Sequence, residues 1–391
     1  MASRRFRLGM VGGGQGAFFG AVHRRAAAMT HRFEFVAGAL SSDPTRALES
    51  ADALYLDRDR SYTDFAAMAA AEAGRDDGID LVAVVTPNHI HAPASLAFLA
   101  SGISVMCDKP LTATLPEALE VEQAAKAGTA LFGVSYTNAG FDMVREARAV
   151  VESGAIGEIR LVRVEFPQEW LASATEAEGN KQAEWRTDPK RSGAGSLGDI
   201  GTHAFHLAEF ISGLQCITVS AEVDSFVPGR QVDDNVSVQL RFENGAKGSL
   251  WASQVAIGKT NGLRIEIYGD KASLGWGVAD ANVLHFCPLG GQRITIDRAS
   301  HGTVVKGHMP PGHPQGFVEA LSQLYADMAD QLEARLNGVA ASSKSLLLPG
   351  IDAGGARNEV HRRDAALRQR RRKMDHALDH DVFMPDGPET S

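Results

Sequence analysis

Apolar positions along the chain fall into two regimes. Up to about residue 137 they come as short continuous runs, each followed by residues of helical spacing. Arg7–Val11, Phe33–Leu40, Asp80–Val85 and Ile103–Cys107 read as strands apolar on both faces, as in a parallel sheet covered by helices. Ala17–Met29, Pro44–Asp52 and Ser61–Ala73 read as helices between them. After Thr137–Ile159 the pattern changes. IRLVRVEF, ITVSAEVDSF, DNVSVQLRF, AKGSLWASQ, LRIEIYG and ASLGWG alternate apolar and polar residues, which marks strands with one wet face. Asn244-Gly245 is a hairpin signal between two of them. One face of such a sheet must be covered by helices or by another subunit, and GDIGTHAFHLAEFISG and Gly316–Gly338 supply helices.

The 391 residues are 44% hydrophobic and 22% charged, which is globular composition with room for two domains. A net charge of −9 argues against a general nucleic-acid partner. The start, MASRRFRLGMVGGG, begins like a signal peptide, but glycines break its apolar run, and no run reaches membrane-spanning length. Cys107, Cys216 and Cys287 are far apart with no CxxC pair. That fits free thiols in a reducing cytoplasm and neither a disulfide framework nor a zinc site.

The turn after the first strand carries the first chemistry. Gly12, Gly14 and Ala17 fit G-x-G-x-x-G/A between a strand and a helix, the context that a dinucleotide-binding turn requires. Gly12 makes the tight turn, Gly14 lets backbone approach a pyrophosphate, and Ala17 lets the helix pack on the strand. Gln15 and Gly16 complete the turn at the helix N-terminus, whose N–H groups and dipole suit phosphate. The fold class is therefore α/β: an N-terminal Rossmann dinucleotide-binding domain (1–137), then an α+β domain with a mostly antiparallel open sheet (138–350). At the end of the second strand, where an acid reads the ribose of NAD, stand Ser41 and Ser42, with Asp43 late and Arg46 near. NAD and NADP both remain open, with the balance toward NAD.

Ligands of open α/β sheets lie outside the carboxyl ends of strands. The third strand ends in Thr86-Pro87-Asn88, with His89 and His91 behind, and the fourth in Asp108-Lys109-Pro110. No third ligand stands at a convincing distance from the two histidines, so no metal is expected. In LGDIGTHAFH, Asp199 and His203 are four apart and share a helix face, just after the flexible RSGAGS. An N-cap and an ordinary histidine would give the same pattern. His206, one turn on, reads as packing.

In this order, the GxGxxA turn, TPNHIH, DKP and GDIGTH resemble the glucose–fructose oxidoreductase / inositol dehydrogenase / MocA-like (Gfo/Idh/MocA) family, from about Arg7 to about Pro349. GAFFGAVHRRAA, KQAEWRTDP and GDIGTHAFHLAEF are closest to its levoglucosan dehydrogenase-like members. The family usually has Glu where this chain has Asp108. The resemblance implies an NAD(P)-dependent oxidoreductase acting on a CH–OH group of a sugar or cyclic polyol. It also implies a homo-oligomer, dimer or tetramer, packed through the second-domain sheet. Lys109, Asp199 and His203 match the family's Lys…Asp-x-x-x-His set. Such chemistry needs a base for the hydroxyl proton and a cation for the alkoxide, which suits His203 and Lys109, with Asp199 orienting the imidazole or binding a hydroxyl. Trp185 and Arg186 suit a wall near the nicotinamide and a hydrogen-bonding fork, and Trp170, Asn138 and Phe141 suit the substrate. Two rival readings stand beside this one. One is a lyase, hydrolase or isomerase that recycles tightly bound NAD. The other is a dinucleotide-binding regulator, which predicts loss of Lys109 or His203, and both are present. Residues 351–391, with RQRRRK, form an atypical basic tail where the family has a helix and a Gly-Lys-Trp ending, and a frameshift near Gly354 would account for it.

Overall fold

The short apolar runs of the first half pair into a five-stranded parallel sheet. In the computed structural model, which describes residues 4–300 and 310–351, this unit runs β1 (Phe6–Gly12), α1 (Phe18–Met29), β2 (Phe33–Ala39), α2 (Pro44–Ala53), α3 (Phe65–Ala73), β3 (Leu81–Val85), α4 (His91–Ala100), β4 (Ser104–Cys107), α5 (Leu115–Ala127) and β5 (Phe132–Val134). The strand order is β2-β1-β3-β4-β5. Leu81 to Val84 and Val105 to Cys107 are buried, which is why the strands read as unbroken apolar runs. α3 starts later than the sequence predicts because the Asp64 carboxylate accepts the Ala67 N–H at 2.7 Å and caps it there. β5 was not expected: three residues carry no periodicity, and its place comes from pairing with β4.

The second unit comprises α6 (Asp142–Glu152), β6 (Ile159–Pro167), α7 (Lys181–Arg186), α8 (Pro189–Ser192), α9 (Thr202–Ser212), β7 (Cys216–Asp224), β8 (Asn235–Phe242), β9 (Lys247–Ser253), β10 (Arg264–Gly269), β11 (Ala272–Gly277), β12 (Val283–Pro288) and β13 (Ile294–Asp297). Its sheet has the order β13-β12-β11-β10-β6-β9-β8-β7 and is antiparallel except where β6 lies parallel to β9. On β8, Val236, Val238, Leu240 and Phe242 point into the core, while Ser237, Gln239 and Arg241 face out. α6 and α9 cover the inner face. β12 and β13 lie beyond the last strand that alternation revealed. The hairpin at Asn244-Gly245 is present, with Gly245 at φ 88° and its N–H on Phe242 O at 2.9 Å.

The final helix, α10 (Phe317–Leu336), does not stay with the second sheet. It packs on α1 of the first unit, where Tyr325 meets His23 and Phe33 and where Arg32 pairs with Glu333 at 2.7 Å. The Val134 N–H of β5 then donates to Pro349 O at 2.7 Å. Among the described residues no helix is long and apolar enough to cross a membrane, and no cluster of three or more metal-ligating side chains exists. The basic tail lies outside the described residues.

At the end of α9, the Glu209 carboxylate accepts the Cys216 N–H at 2.9 Å in a half-buried position. Burial, with some help from Glu243, pushes its pKa up to about 7 from 4.5. A raised carboxylate pKa penalises the ionised folded state, so this contribution costs nothing below the unfolded pKa and destabilises progressively as pH rises from 4.5 through about 7. Glu209→Gln should therefore leave Tm unchanged at pH 4 and raise stability at pH 8 by about 1 kcal/mol, or about 2 °C. Thermal melts at the two pH values check this. An equal effect at both would show that the carboxylate is not perturbed.

Candidate active site

The glycine-rich turn between β1 and α1 is built by close backbone approach. Gly12 has φ +75° and sits against Val85 O. The helix-packing role expected of Ala17 belongs instead to Gly20, where an added Cβ would collide with the Gly13 backbone. Ala17 is the N-cap and half-exposed. A Cβ at Gly14 would lie 2.7 Å from Leu40 O and 2.8 Å from Ser50 Oγ, so the missing side chain lets the turn pack against the end of β2. The Gln15 N–H donates to Ser50 Oγ at 3.1 Å. Gly16, at φ +78°, has nothing within 4 Å of where a Cβ would stand. The α1 N-terminus has no side-chain cap and no acid in its first turn, and the buried Thr86 Oγ1 has no hydrogen-bond partner. An open turn, an uncapped helix dipole and an orphaned hydroxyl fit a dinucleotide phosphate and its neighbours.

At the end of β2, Ser41 Oγ accepts the Asp43 N–H at 3.1 Å, and Asp43 caps α2 through the Arg46 N–H at 2.8 Å. Ser42 and the Arg46 side chain are exposed. The strand ends that follow are tied together from below. His91, expected at the cofactor, is buried: Nδ1 meets Pro110 O and Nε2 meets Thr86 O, each at 2.8 Å. Burial lowers its pKa. It fixes the Thr86-Pro87 loop to the Lys109-Pro110 loop. Asn88 is buried too, and its Nδ2 donates to Ser192 O at 2.8 Å, joining this loop to the second unit.

Lys109 spans the two units. Its Nζ donates to Asp199 Oδ1 at 2.8 Å and to Asp199 O at 2.6 Å. The other carboxylate oxygen accepts from Gln254 Nε2 at 2.9 Å and lies 3.4 Å from Arg186 Nε. Burial alone would raise the Asp199 pKa, but the Lys109 and Arg186 charges outweigh it and hold this carboxyl well below the usual range. Asp199 is thus a carboxylate clamped by cations, with His203 a smaller influence on it than Lys109 and Arg186. Of the partners that the sequence offered Asp199, the imidazole one turn on is joined by the more distant Lys109, which the spacing did not reveal.

Residues Leu197–Gly201 form a π turn leading into α9, wider than the α-helix start expected from the spacing. Buried Asp233 anchors it from another loop, accepting from Gly195 N–H (2.9 Å), Ser196 Oγ (2.8 Å) and Leu197 N–H (2.6 Å). His203 follows on α9. Its Nδ1 is 3.3 Å from Asn138 Nδ2, and its ring meets Tyr136 and Phe166 edge-on. His206 stacks on Tyr136 at 4.6 Å and on Phe210, the packing role expected of it.

Lys109, Asp199 and His203 share the wall of a cavity of about 750 Å³ between the units. Phe141, Phe166 and Trp170 line the same cavity, as do Gln168 and Arg186. The Arg186 guanidinium stacks over Trp185, 4.2 Å from the ring centroid, and faces Trp170 at 6.0 Å. Trp185 donates Nε1 to Gln182 at 3.3 Å and stands behind Arg186. Gln254, Gln168, Asp233, Ser135 and His23 were not singled out from the sequence. Only His23 had a local signal, one turn beyond Gly20 on a helix face that had to be buried.

Residues 6–136 match the model described as oxidoreductase family, NAD-binding Rossmann fold, and residues 144–275 match that of the GFO/IDH/MocA C-terminal domain. An oxidoreductase from Sinorhizobium meliloti is 43% identical, with a TM-score of 0.84 over 95% of this chain and 99% of its own. An inositol dehydrogenase homolog from Azotobacter vinelandii, solved with NAD+, is 34% identical, with a TM-score of 0.87 over 92% of this chain and 94% of its own. Levoglucosan dehydrogenase of Pseudarthrobacter phenanthrenivorans is 29% identical over 80% of this chain and 82% of its own.

The two glycines should separate on mutation. Gly16→Val points into open space, so it should weaken NADH binding about tenfold or more while its positive φ costs only about 1–2 kcal/mol. Gly14→Val must displace Leu40 and Ser50 and should lower Tm as well. Fluorescence titration with NADH, paired with thermal melts, checks both. Unchanged NADH affinity in Gly16→Val would remove this turn from the cofactor site.

Proposed function

The chain belongs to the GFO/IDH/MocA oxidoreductase family, whose first domain is an NAD-binding Rossmann fold, and on that premise we propose that it oxidises a ring hydroxyl of a levoglucosan- or inositol-like sugar or cyclic polyol. The observation that carries this reading is the Lys109–Asp199 pair on the same cavity wall as His203. Bound NAD supplies the hydride acceptor; the residues of the chain do the rest. The Lys109 ammonium, held in place by Asp199, lies where it stabilises the developing alkoxide. His203 takes the hydroxyl proton on Nε2, which calls for a proton on Nδ1 and so for the Asn138 carboxamide rotated by 180° from the orientation in which its Nδ2 faces Nδ1. Phe166 and Trp170 offer flat apolar faces to the C–H side of a ring, and Arg186 and Gln168 offer hydrogen bonds to its hydroxyls. The end of β2 has no carboxylate other than the capping Asp43, and NAD is proposed over NADP because the A. vinelandii relative was solved with NAD+.

The outer face of the second sheet carries the half-exposed Leu161 on β6 and, further along, Trp251 on β9. We place a second copy of the chain there, and sedimentation velocity checks this.

Free NAD with a panel that includes levoglucosan and myo-inositol tests the activity; no turnover of any member would sink it. Oxidation should speed up as pH rises through an ionisation in the neutral range, because only the neutral imidazole accepts the proton. His203→Ala should remove most of the rate and flatten that limb. Lys109→Ala should lower kcat about a hundredfold or more, and Asp199→Asn should fall in the same range. The double variant should be little worse than either single one, since the two act as a unit. Asp199→Asn should also move the limb slightly toward lower pH, because the carboxylate favours the imidazolium. An unaltered profile in His203→Ala would place the base elsewhere.

A further inference from the structure

Lys109 is held at both ends, and the hold on its backbone has no part in the chemistry described so far. The Lys109 N–H donates to Asp108 Oδ1 at 2.9 Å. The same oxygen accepts from Ser135 Oγ at 2.6 Å and lies 3.9 Å from His23 Nε2. His23 is 1% exposed, and its other nitrogen, Nδ1, is 2.8 Å from the Tyr325 hydroxyl. One carboxylate therefore gathers the fourth strand's end, the fifth strand's end and α1, and through His23 it reaches α10. His23, Asp108 and Ser135 all border the cavity that Lys109 enters. Burial disfavours the Asp108 charge, yet His23, Lys109 and Ser135 together keep it ionised.

We propose that His23 is a positioning residue for Lys109, acting through Asp108. Resting on the reading of Lys109 as the group that meets the reacting oxygen, it assigns the imidazole two separable duties: Nδ1 ties α1 to α10, and Nε2 steadies the carboxylate that sets the Lys109 backbone. A displacement of about 1 Å at such a residue can cost orders of magnitude in rate without touching cofactor affinity. The two nitrogens give the test its controls. His23→Gln places an amide donor near the position of Nε2 and keeps the link to Asp108. His23→Asn stands in for Nδ1 and keeps only the link to Tyr325.

The experiment uses the full chain and two readouts. One is acetylation of Lys109 by acetic anhydride, followed by mass spectrometry against exposed Lys126 as internal reference, which needs no substrate. The other is kcat and KM on whichever of levoglucosan and myo-inositol the wild type oxidises. His23→Ala, His23→Asn and Ser135→Ala should each raise Lys109 labelling about threefold or more and lower kcat about tenfold, with KM for NAD within about twofold. His23→Gln should restore both readouts to within about twofold of wild type. Ser135→Ala acts on the same oxygen from another strand, so it decides the matter if a His23 variant fails to fold. The proposal is overturned if His23→Gln is as impaired as His23→Asn, or if labelling in Ser135→Ala and the folded His23 variants matches wild type. Should neither sugar be oxidised, the labelling pattern still decides the role of His23, while the loss of activity counts separately against the function proposed above.

Discussion

The contact on which the site depends is the ion pair between Lys109 and Asp199. Its side chains are only 12% and 17% exposed, so neither charge is well solvated without the other. Buried pairs add little net stability, but removing one partner leaves an uncompensated charge in a low dielectric. That asymmetry makes the pair a registration device. Lys109 comes from a strand end of the first unit and Asp199 from the second, so the pair ties the two units together at the cavity wall. Arg186 and Gln254 then use the remaining carboxylate oxygen, so the cavity wall is organised around one acid.

Each member of the pair is held by a further carboxylate, buried Asp233 for Asp199 and half-buried Asp108 for Lys109. Asp233 takes up donors at the start of the π turn, and Asp108 takes the Lys109 backbone and the Ser135 hydroxyl. Both oxygens of Asp233 and the Oδ1 of Asp108 thus bind the 195–197, Lys109 and Ser135 segments. Placing hydrogen-bonded acids behind the reactive ones keeps donors aimed before a substrate arrives, which is where preorganised electrostatics gain their effect.

Much of this was legible from the residues in order. The parallel strands announced themselves because Leu81–Val85 and Ser104–Cys107 are covered on both faces, and the second sheet did so because β8 alternates. The glycine turn was legible as a type, but the division of labour within it was not: Gly13 and Gly20 touch only once α1 is laid on the sheet. The partner of Asp199 was hidden for a similar reason. Four-residue spacing pointed to His203, a local neighbour, whereas the closest cation lies 90 positions away in sequence. His91 misled because strand-end position says nothing about whether a side chain points up toward a ligand or down into the sheet. Asp108 stood in plain view, yet its role depends on Ser135 and His23, which share no local pattern with it.

The return of α10 to the first unit bears on how the chain is made. β5 is bonded along one edge to residue 349, and the groove between α1 and β2 is closed by Tyr325. A chain emerging from the ribosome therefore exposes an incomplete first unit until nearly all of the second has been synthesised. Its apolar seam, including Phe33, must wait in water or under a chaperone through that interval. The nucleotide-binding half is thus the first to be translated and among the last to be finished, and premature termination anywhere before α10 yields a protein with an open flank rather than a smaller working domain.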